Sequence, residues 1–232
     1  MRLNGRAAII TGASQGLGRA IAAEFVRQGA TVCLCARDEA LLAEVTDELR
    51  SAARAPQRVL ARAVDVSDES QVAAFFAEVL YELGTLQILV NNAGVYGPKG
   101  ASEDVSLSEW VRALEINLLG TFIPARHAIQ HFRKLNYGKI INLSGGGATA
   151  PLPRFSAYAA SKAAVVRLTE TLAEELRDAH VDVNAIAPGA LNTRLLEEVL
   201  AAGPETVGAA FFERARKQRD AGGVPLEKGA QL

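Results

Sequence analysis

Cysteine is scarce in this chain, with two in 232 residues, Cys33 and Cys35, both in "ATVCLCAR". Two cysteines one residue apart are too close for an ordinary disulfide, and a Cys-x-Cys metal site would need ligands that no other cysteine supplies. On a strand both would share one face, so core packing is expected. Of the three histidines, His127 and His131 stand at helical spacing in "PARHAIQHF". No HExxH glutamate lies between them, so a solvated or interface helix face is expected and no metal site. Basic and acidic residues nearly cancel, 25 against 26, which leaves no electrostatic case for nucleic acid or an anionic membrane. No stretch approaches the roughly 18 apolar residues of a membrane span. The opening "MRLNGRAAIITG" lacks the apolar core and cleavage site of a secretory signal, so a cytoplasmic location is expected.

What the chain does have is alternation. Short runs rich in Ile, Val and Leu ("RAAIIT", "ATVCLCA", "RVLARAVDV", "LQILVNNAG", "GKIINLSG", "VDVNAIAPG") are each separated by a longer stretch of helical period. That pattern predicts a single α/β domain over residues 1–232, doubly wound, with a parallel sheet and helices on both faces. One helix is expected from near Ser67 to Gly84, and a long one spans "LSEWVRALEINLLGTFIPARHAIQHFRK". The tail from Leu191 adds two helical patches separated by "GP" and then a Gly-rich stretch, with no strand.

Between the first strand and its helix, "IITGASQGLG" places Gly12, Gly16 and Gly18. Glycine permits the tight turn and lets backbone approach a pyrophosphate, while the helix N-terminus offers free N–H groups. This position makes dinucleotide binding the expectation. A second feature is "FSAYAASKAAVV", in which Tyr158 and Lys162 would share a helix face one turn apart. Spacing alone allows two readings: a solvated pair, or a proton donor and the charge that tunes it.

Six motifs in register decide between them. "TGASQGLG" at 11–18, "NNAG" at 91–94, Asn117 in "EINLLG", Ser144 in "INLSG", "YAASK" at 158–162 and "PG" at 188–189 occur with spacings that resemble the compact short-chain dehydrogenase/reductase family, from about Gly5 to Thr193. The resemblance implies a Rossmann-type NAD(P)-dependent oxidoreductase acting on a small ketone or secondary alcohol. Tyr158 would be the general acid/base. Lys162 would lower its pKa and hold the nicotinamide ribose, because a nearby ammonium favours phenolate. Ser144 would bond the substrate oxygen, and Asn117 would hold a water leading to Lys162. For the cofactor, Gly12, Ser14, Gln15, Gly16, Leu17 and Gly18 would meet the pyrophosphate and adenosine ribose. Asp65 and Val66 would flank the adenine, and Asn92, Ala93 and Gly94 would line the end of strand four. Pro188, Gly189 and Thr193 would meet the nicotinamide side. Arg37, just past the second strand, suits the 2′-phosphate of NADP(H), with Asp38 as a rival that would select NAD(H).

Two features depart from the family's pattern. A seventh edge strand is expected to be missing, and Ser144 is followed by a bare Gly145-Gly146-Gly147. Two other functions remain open: a non-catalytic dinucleotide sensor or scaffold, and a sugar-nucleotide epimerase-type relative. Small and apolar residues on the helix from Ala157 to Asp178, and the helix near Leu118 to His131, point to a homodimer or homotetramer. The segment 190–223, with Phe211, Phe212 and several glycines, is expected to be a lid over the substrate.

Overall fold

Apolar runs buried on both faces pair edge to edge, because only neighbouring strands can satisfy their backbone groups there. The computed structural model describes residues 2–230. Among them β1 (Ala7–Thr11), β2 (Thr31–Ala36), β3 (Val59–Ala63), β4 (Ile88–Asn91), β5 (Gly138–Leu143) and β6 (Val181–Ile186) form one sheet. Its order is β3-β2-β1-β4-β5-β6 and all pairs are parallel. The order reverses between β1 and β4, so the carboxyl ends of these strands flank a crevice. The tail's contribution to pairing is an isolated bridge between Leu191 and Val224. Gln231 and Leu232, where the sequence reading ended, lie outside the described residues.

Period-two alternation sorts the strand side chains. Ile9, Cys33 and Cys35 face one side of the sheet, and Ala8, Ile10, Val32 and Leu34 the other. Both thiols are buried as expected, and burial pushes each up to about 12, so neither is a reactive thiolate.

The helices on the two faces are α1 (Gly16–Arg27), α2 (Glu39–Ala52), α3 (Glu69–Leu83), α4 (Leu107–Leu114), α5 (Gly120–Leu135) and α6 (Ser156–Glu175). α3 begins two residues later than expected because Asp68 is its cap, accepting the Ser70 and Gln71 N–H groups. Its stop at Gly84, in the left-handed region at φ 68°, is where the sequence put it. The long helix is not uniform, since a π-helical turn at Glu115–Leu119 joins α4 to α5. The runs read as strands three and four are longer than β3 and β4, because their last residues leave the sheet to form the crevice.

Of the two faces expected for the histidines, solvated or interface, the solvated one is corrected. His131 Nε2 accepts the Leu86 N–H at 3.1 Å, and His127 packs on Phe76 with ring centroids 5.5 Å apart. Both are half-buried between α5 and its neighbours and not on a solvated face. Among the described residues no helix is long and apolar enough to cross a membrane.

The tail folds as α7 (Arg194–Val207), α8 (Ala209–Asp220) and α9 (Leu226–Ala230). The break expected at "GP" is a kink at Gly203, φ 76°, inside α7, and the separation comes at Gly208, φ 87°. α9 returns to the main body, where Gly229 packs against Leu17 and Leu191.

Candidate active site

The first βα turn and the end of β4 are locked together. Asn92 Nδ2 donates to Thr11 O at 2.9 Å and Gly12 O at 3.0 Å, while Thr11 Oγ1 accepts the Asn92 and Ala93 N–H groups. This proximity leaves no room for side chains. A Cβ at Gly12, where φ is +64°, would sit 2.8 Å from Ala93 Cα, and one at Gly18 would strike Gly12 O. At Gly16, φ +55°, the space opens toward Thr193 Cγ2, 3.7 Å from where a Cβ would lie. The N-cap residue of α1, Gln15, makes no side-chain bond to the helix, and its first turn holds no acid. The first N–H groups are therefore free to take an anion, and the bare cradle fits a dinucleotide pyrophosphate.

This turn borders a cavity of about 1270 Å³, larger than a single small ligand needs. At its far end lie Arg37 and Asp38 after β2. Asp38 caps α2 by accepting the Leu41 N–H at 3.0 Å, which gives its carboxylate a structural task. Asp65 and Val66 line the same end. Burial raises the Asp65 pKa, but hydrogen bonds from Ser67 and Arg112 outweigh it and hold the carboxyl below its ordinary range. Sequence reading missed Arg112, which ties Asp65 and Ser67 to α4. Ser14, Gln15, Leu17, Ala93 and Gly94 line the middle, and Pro188, Gly189 and Thr193 close the side opposite β5.

The four residues singled out for chemistry come together at the end of β5 and the start of α6. Lys162 is 5% exposed and donates from Nζ to Leu143 O at 2.7 Å. Its ammonium lies 5.8 Å from the Tyr158 ring centroid. Ser144 follows β5 directly, its backbone N–H bonded to Ile186 O at 2.9 Å. The bare glycines now have a reason. A Cβ at Gly145 would run into the Tyr158 hydroxyl, and one at Gly147 would come within 2.8 Å of Ala159 Cα. Asn117 sits in the π-helical turn and holds Val95 twice, accepting its N–H at 2.8 Å and donating to its carbonyl at 2.8 Å. A third bond runs to Ser161 Oγ at 2.9 Å. Asn117 Oδ1 and Lys162 Nζ both face Gly94, 3.2 and 3.5 Å from where its Cβ would be, so the two expected relay groups converge.

In this structure Tyr158 titrates against expectation. Burial, then the neighbouring Tyr96, raises its pKa above the ordinary 10.0. Burial pushes Lys162 down to about 8. Both follow from the same desolvation, which disfavours phenolate and ammonium alike.

Tyr96 is the other residue that the sequence reading did not select. Its ring is wedged between Tyr158, centroids 4.7 Å apart, and Phe155, 5.2 Å apart, and Phe155 meets Phe211 of α8 at 4.8 Å. An aromatic two residues past "NNAG" was the available signal. α8 lies across the cavity, with Gln218 Nε2 donating to Leu191 O at 3.0 Å. Of its cations, Arg216 and Arg219 pair with acids on α8 itself, while Arg214 borders the cavity.

A family model described as short chain dehydrogenase matches residues 6–203. The chain belongs to that family. This short-chain dehydrogenase is 42% identical to 3beta-hydroxysteroid dehydrogenase 1 of Eggerthella lenta over 86% of its own length and 76% of that protein's. It is 35% identical to cis-4-hydroxycyclohexanecarboxylate dehydrogenase of Sinomonas cyclohexanicum, over 82% of this chain and 75% of that one. In structure it is similar to a short chain dehydrogenase/reductase from Burkholderia phymatum in complex with NAD. The TM-score is 0.87 at 30% identity, covering 100% of this chain and 85% of that one.

Lys162 generates a pH prediction. Its folded-state pKa of about 8 lies below the ordinary 10.5, so between these values the unfolded chain binds more protons and stability rises with pH. The cofactor-free stability of wild type relative to Lys162→Met should therefore increase from pH 8 to pH 10.5 in denaturant melts. A difference that stays flat across that window would contradict the buried ammonium.

Proposed function

We propose that this short-chain dehydrogenase moves hydride between NADP(H) and a ketone or secondary alcohol, with Tyr158 as general acid/base. The observation that carries this reading is the pairing of two cavity-facing hydroxyls, Ser144 and Tyr158, with Lys162 buried behind them. A bound nicotinamide dinucleotide supplies the hydride in reduction and takes it up in oxidation. Gly12 to Gly18 would hold its pyrophosphate, and Lys162 would reach its ribose. In reduction Tyr158 delivers its proton to the substrate oxygen while Ser144 donates a hydrogen bond to that oxygen. A phenol held neutral by burial is the correct form for that delivery, and the ammonium stabilises the phenolate left behind. Asn117 and Lys162, meeting at Gly94, would lead the replacement proton inward from solvent. Leu152, Leu196, Val199 and Phe211 give the substrate end an apolar wall, which with the relatives' names supports an alicyclic substrate.

Tyr158→Phe keeps the ring and its packing but removes the proton. It should fold and bind cofactor as wild type does while kcat falls about 100- to 10,000-fold. Turnover near wild type in that variant would sink the mechanism.

The preference for NADP(H) rests on Arg37 at the cavity's far end and on Asp38 being engaged as a cap. The same binding is expected to settle α7 and α8 as a lid over 190–223. In limited proteolysis NADP should protect residues 195–220 at lower concentration than NAD, and Arg37→Ala should abolish that difference. Protection at lower NAD, or equal cleavage with and without either cofactor, would count against the choice and the lid respectively.

For assembly, Leu107, Val111, Leu119 and Phe122 are exposed along α4 and α5, from 39% to 76%. Together with the exposed Ala160 on α6 they support pairing of two copies, as a homodimer or within a homotetramer. Light scattering should give at least twice the chain mass for wild type and the single-chain mass for Leu119→Asp/Phe122→Asp. A monomeric wild type would refute the pairing.

A further inference from the structure

The segment Val95–Gly100, which leaves β4 after "NNAG", is held at every second residue or closer. Asn117 pins Val95 from both backbone groups. Gly97, φ +69°, turns against Ala113, where a Cβ would come within 2.5 Å of the alanine Cβ. Lys99 reaches Glu198 of α7 at 3.5 Å with its side chain 15% exposed, and the Gly100 N–H bonds to Arg154 O at 3.0 Å. In the middle stands Tyr96, its ring clamped between Phe155 and Tyr158. Its position is thus fixed before any substrate arrives.

Its hydroxyl is not used by the fold. Among the described residues it makes no hydrogen bond, yet it is not sealed from solvent either, and the residue lines the same cavity as Ser144 and Tyr158. Leu152, Leu196 and Val199 belong to the same apolar cluster, while the Lys99 ammonium lies 5.8 Å from the centroid of the Tyr96 ring. Glu198, the nearby acid, is already paired with Lys99 and with Arg194. With Lys99 and Glu198 paired to each other, a rigid phenol with a spare hydroxyl beside apolar side chains orients a ligand by a single polar contact.

We infer that Tyr96 is a specificity-determining residue whose hydroxyl bonds a second oxygen function on the substrate's ring, separate from the carbonyl or alcohol that reacts. The preferred class is then a dioxygenated alicyclic compound, a hydroxyketone, diketone or diol, over a mono-oxygenated one. This rests on the oxidoreductase reading above for which oxygen reacts, whereas the contact at Tyr96 is read by binding alone. Burial first, and the charge of Glu198 next, raise the Tyr96 pKa, so the group stays a neutral phenol able to donate.

The test is calorimetry on the complex with whichever oxidised cofactor binds more tightly, titrated with cyclohexanol and with the cyclohexane-1,2-, 1,3- and 1,4-diols. In wild type at least one diol should bind about tenfold tighter than cyclohexanol, the worth of one neutral hydrogen bond. Tyr96→Phe keeps the stacked ring and should erase that gain while leaving cyclohexanol within about twofold of its wild-type Kd. The inference is overturned if no diol outbinds cyclohexanol in wild type or if the gain survives in Tyr96→Phe. It is also overturned if both compounds weaken together, which would make the ring a packing element only. Loss of the oxidoreductase reading would register differently, as absence of hydride transfer by a wild type that still shows the diol preference.

Discussion

Everything at this site depends on how closely the first turn approaches the end of β4. Asn92 bonds to the carbonyls of Thr11 and Gly12, and Gly18 brings α1 against the same carbonyl, so three backbone segments meet with no Cβ between them. Because the sheet order reverses between β1 and β4, this contact forms the floor of the crevice. The Gly-rich turn, whose bare backbone fits a pyrophosphate, and the Tyr158 cluster border the same cavity. Adding a methyl group at Gly12 or Gly18 would push the turn and the end of β4 apart, which is why glycine's small volume matters here as much as its freedom at positive φ.

A second constraint is the π-helical turn. One extra residue in the helix places Asn117 inward, fully buried, with its amide spent on Val95 and Ser161. The register is held from below by polar groups in the sheet. Asn91 and Asn142, direct partners across β4 and β5, bond to each other, Asn91 donates to Thr121 O, and Thr121 Oγ1 donates to Asn117 O. Buried amides in an otherwise apolar sheet are costly unless bonded, and here the Asn91 amide nitrogen is bonded twice while its Oδ1 has no partner among the described residues. This arrangement positions Asn117 and, through its two bonds to Val95, the Tyr96 loop.

Most of the fold was legible because its signals are local. Strand runs, the Gly84 stop and the Gly-rich turn each follow from a few adjacent residues. Residues of five of the six motifs line one cavity, with Asn117 behind it, and the cysteines pack on one face. What escaped depends on contacts distant in sequence. The π-helical turn leaves no mark in the apolar period, and His131 looks solvated until Leu86, 45 residues earlier, is brought beside it. Arg112 and Tyr96 were passed over for the same reason, as their partners lie on other elements. The burial that Tyr158 shares with Lys162, which raises the phenol's pKa in this structure, is likewise invisible in their spacing. The glycines after Ser144 were noticed as odd, but only the position of the phenol explains them.

The tail leaves and rejoins the body at nearly one point. Leu191 bridges Val224, the Val224 N–H bonds to Ala190 O at 3.1 Å, and Gly223 packs against Asn192. Closing a loop costs little more as it lengthens, roughly 0.6 kcal/mol per doubling. The stretch 192–223 is therefore an exchangeable cassette: its ends are fixed, several of its residues line the cavity, and no strand runs through it. Natural variation can lengthen, shorten or rewrite it while the sheet and the Tyr158 cluster stay as they are. Reshaping the cavity wall in this architecture needs a change at one surface insertion, with the sheet and the Gly-rich turn left intact.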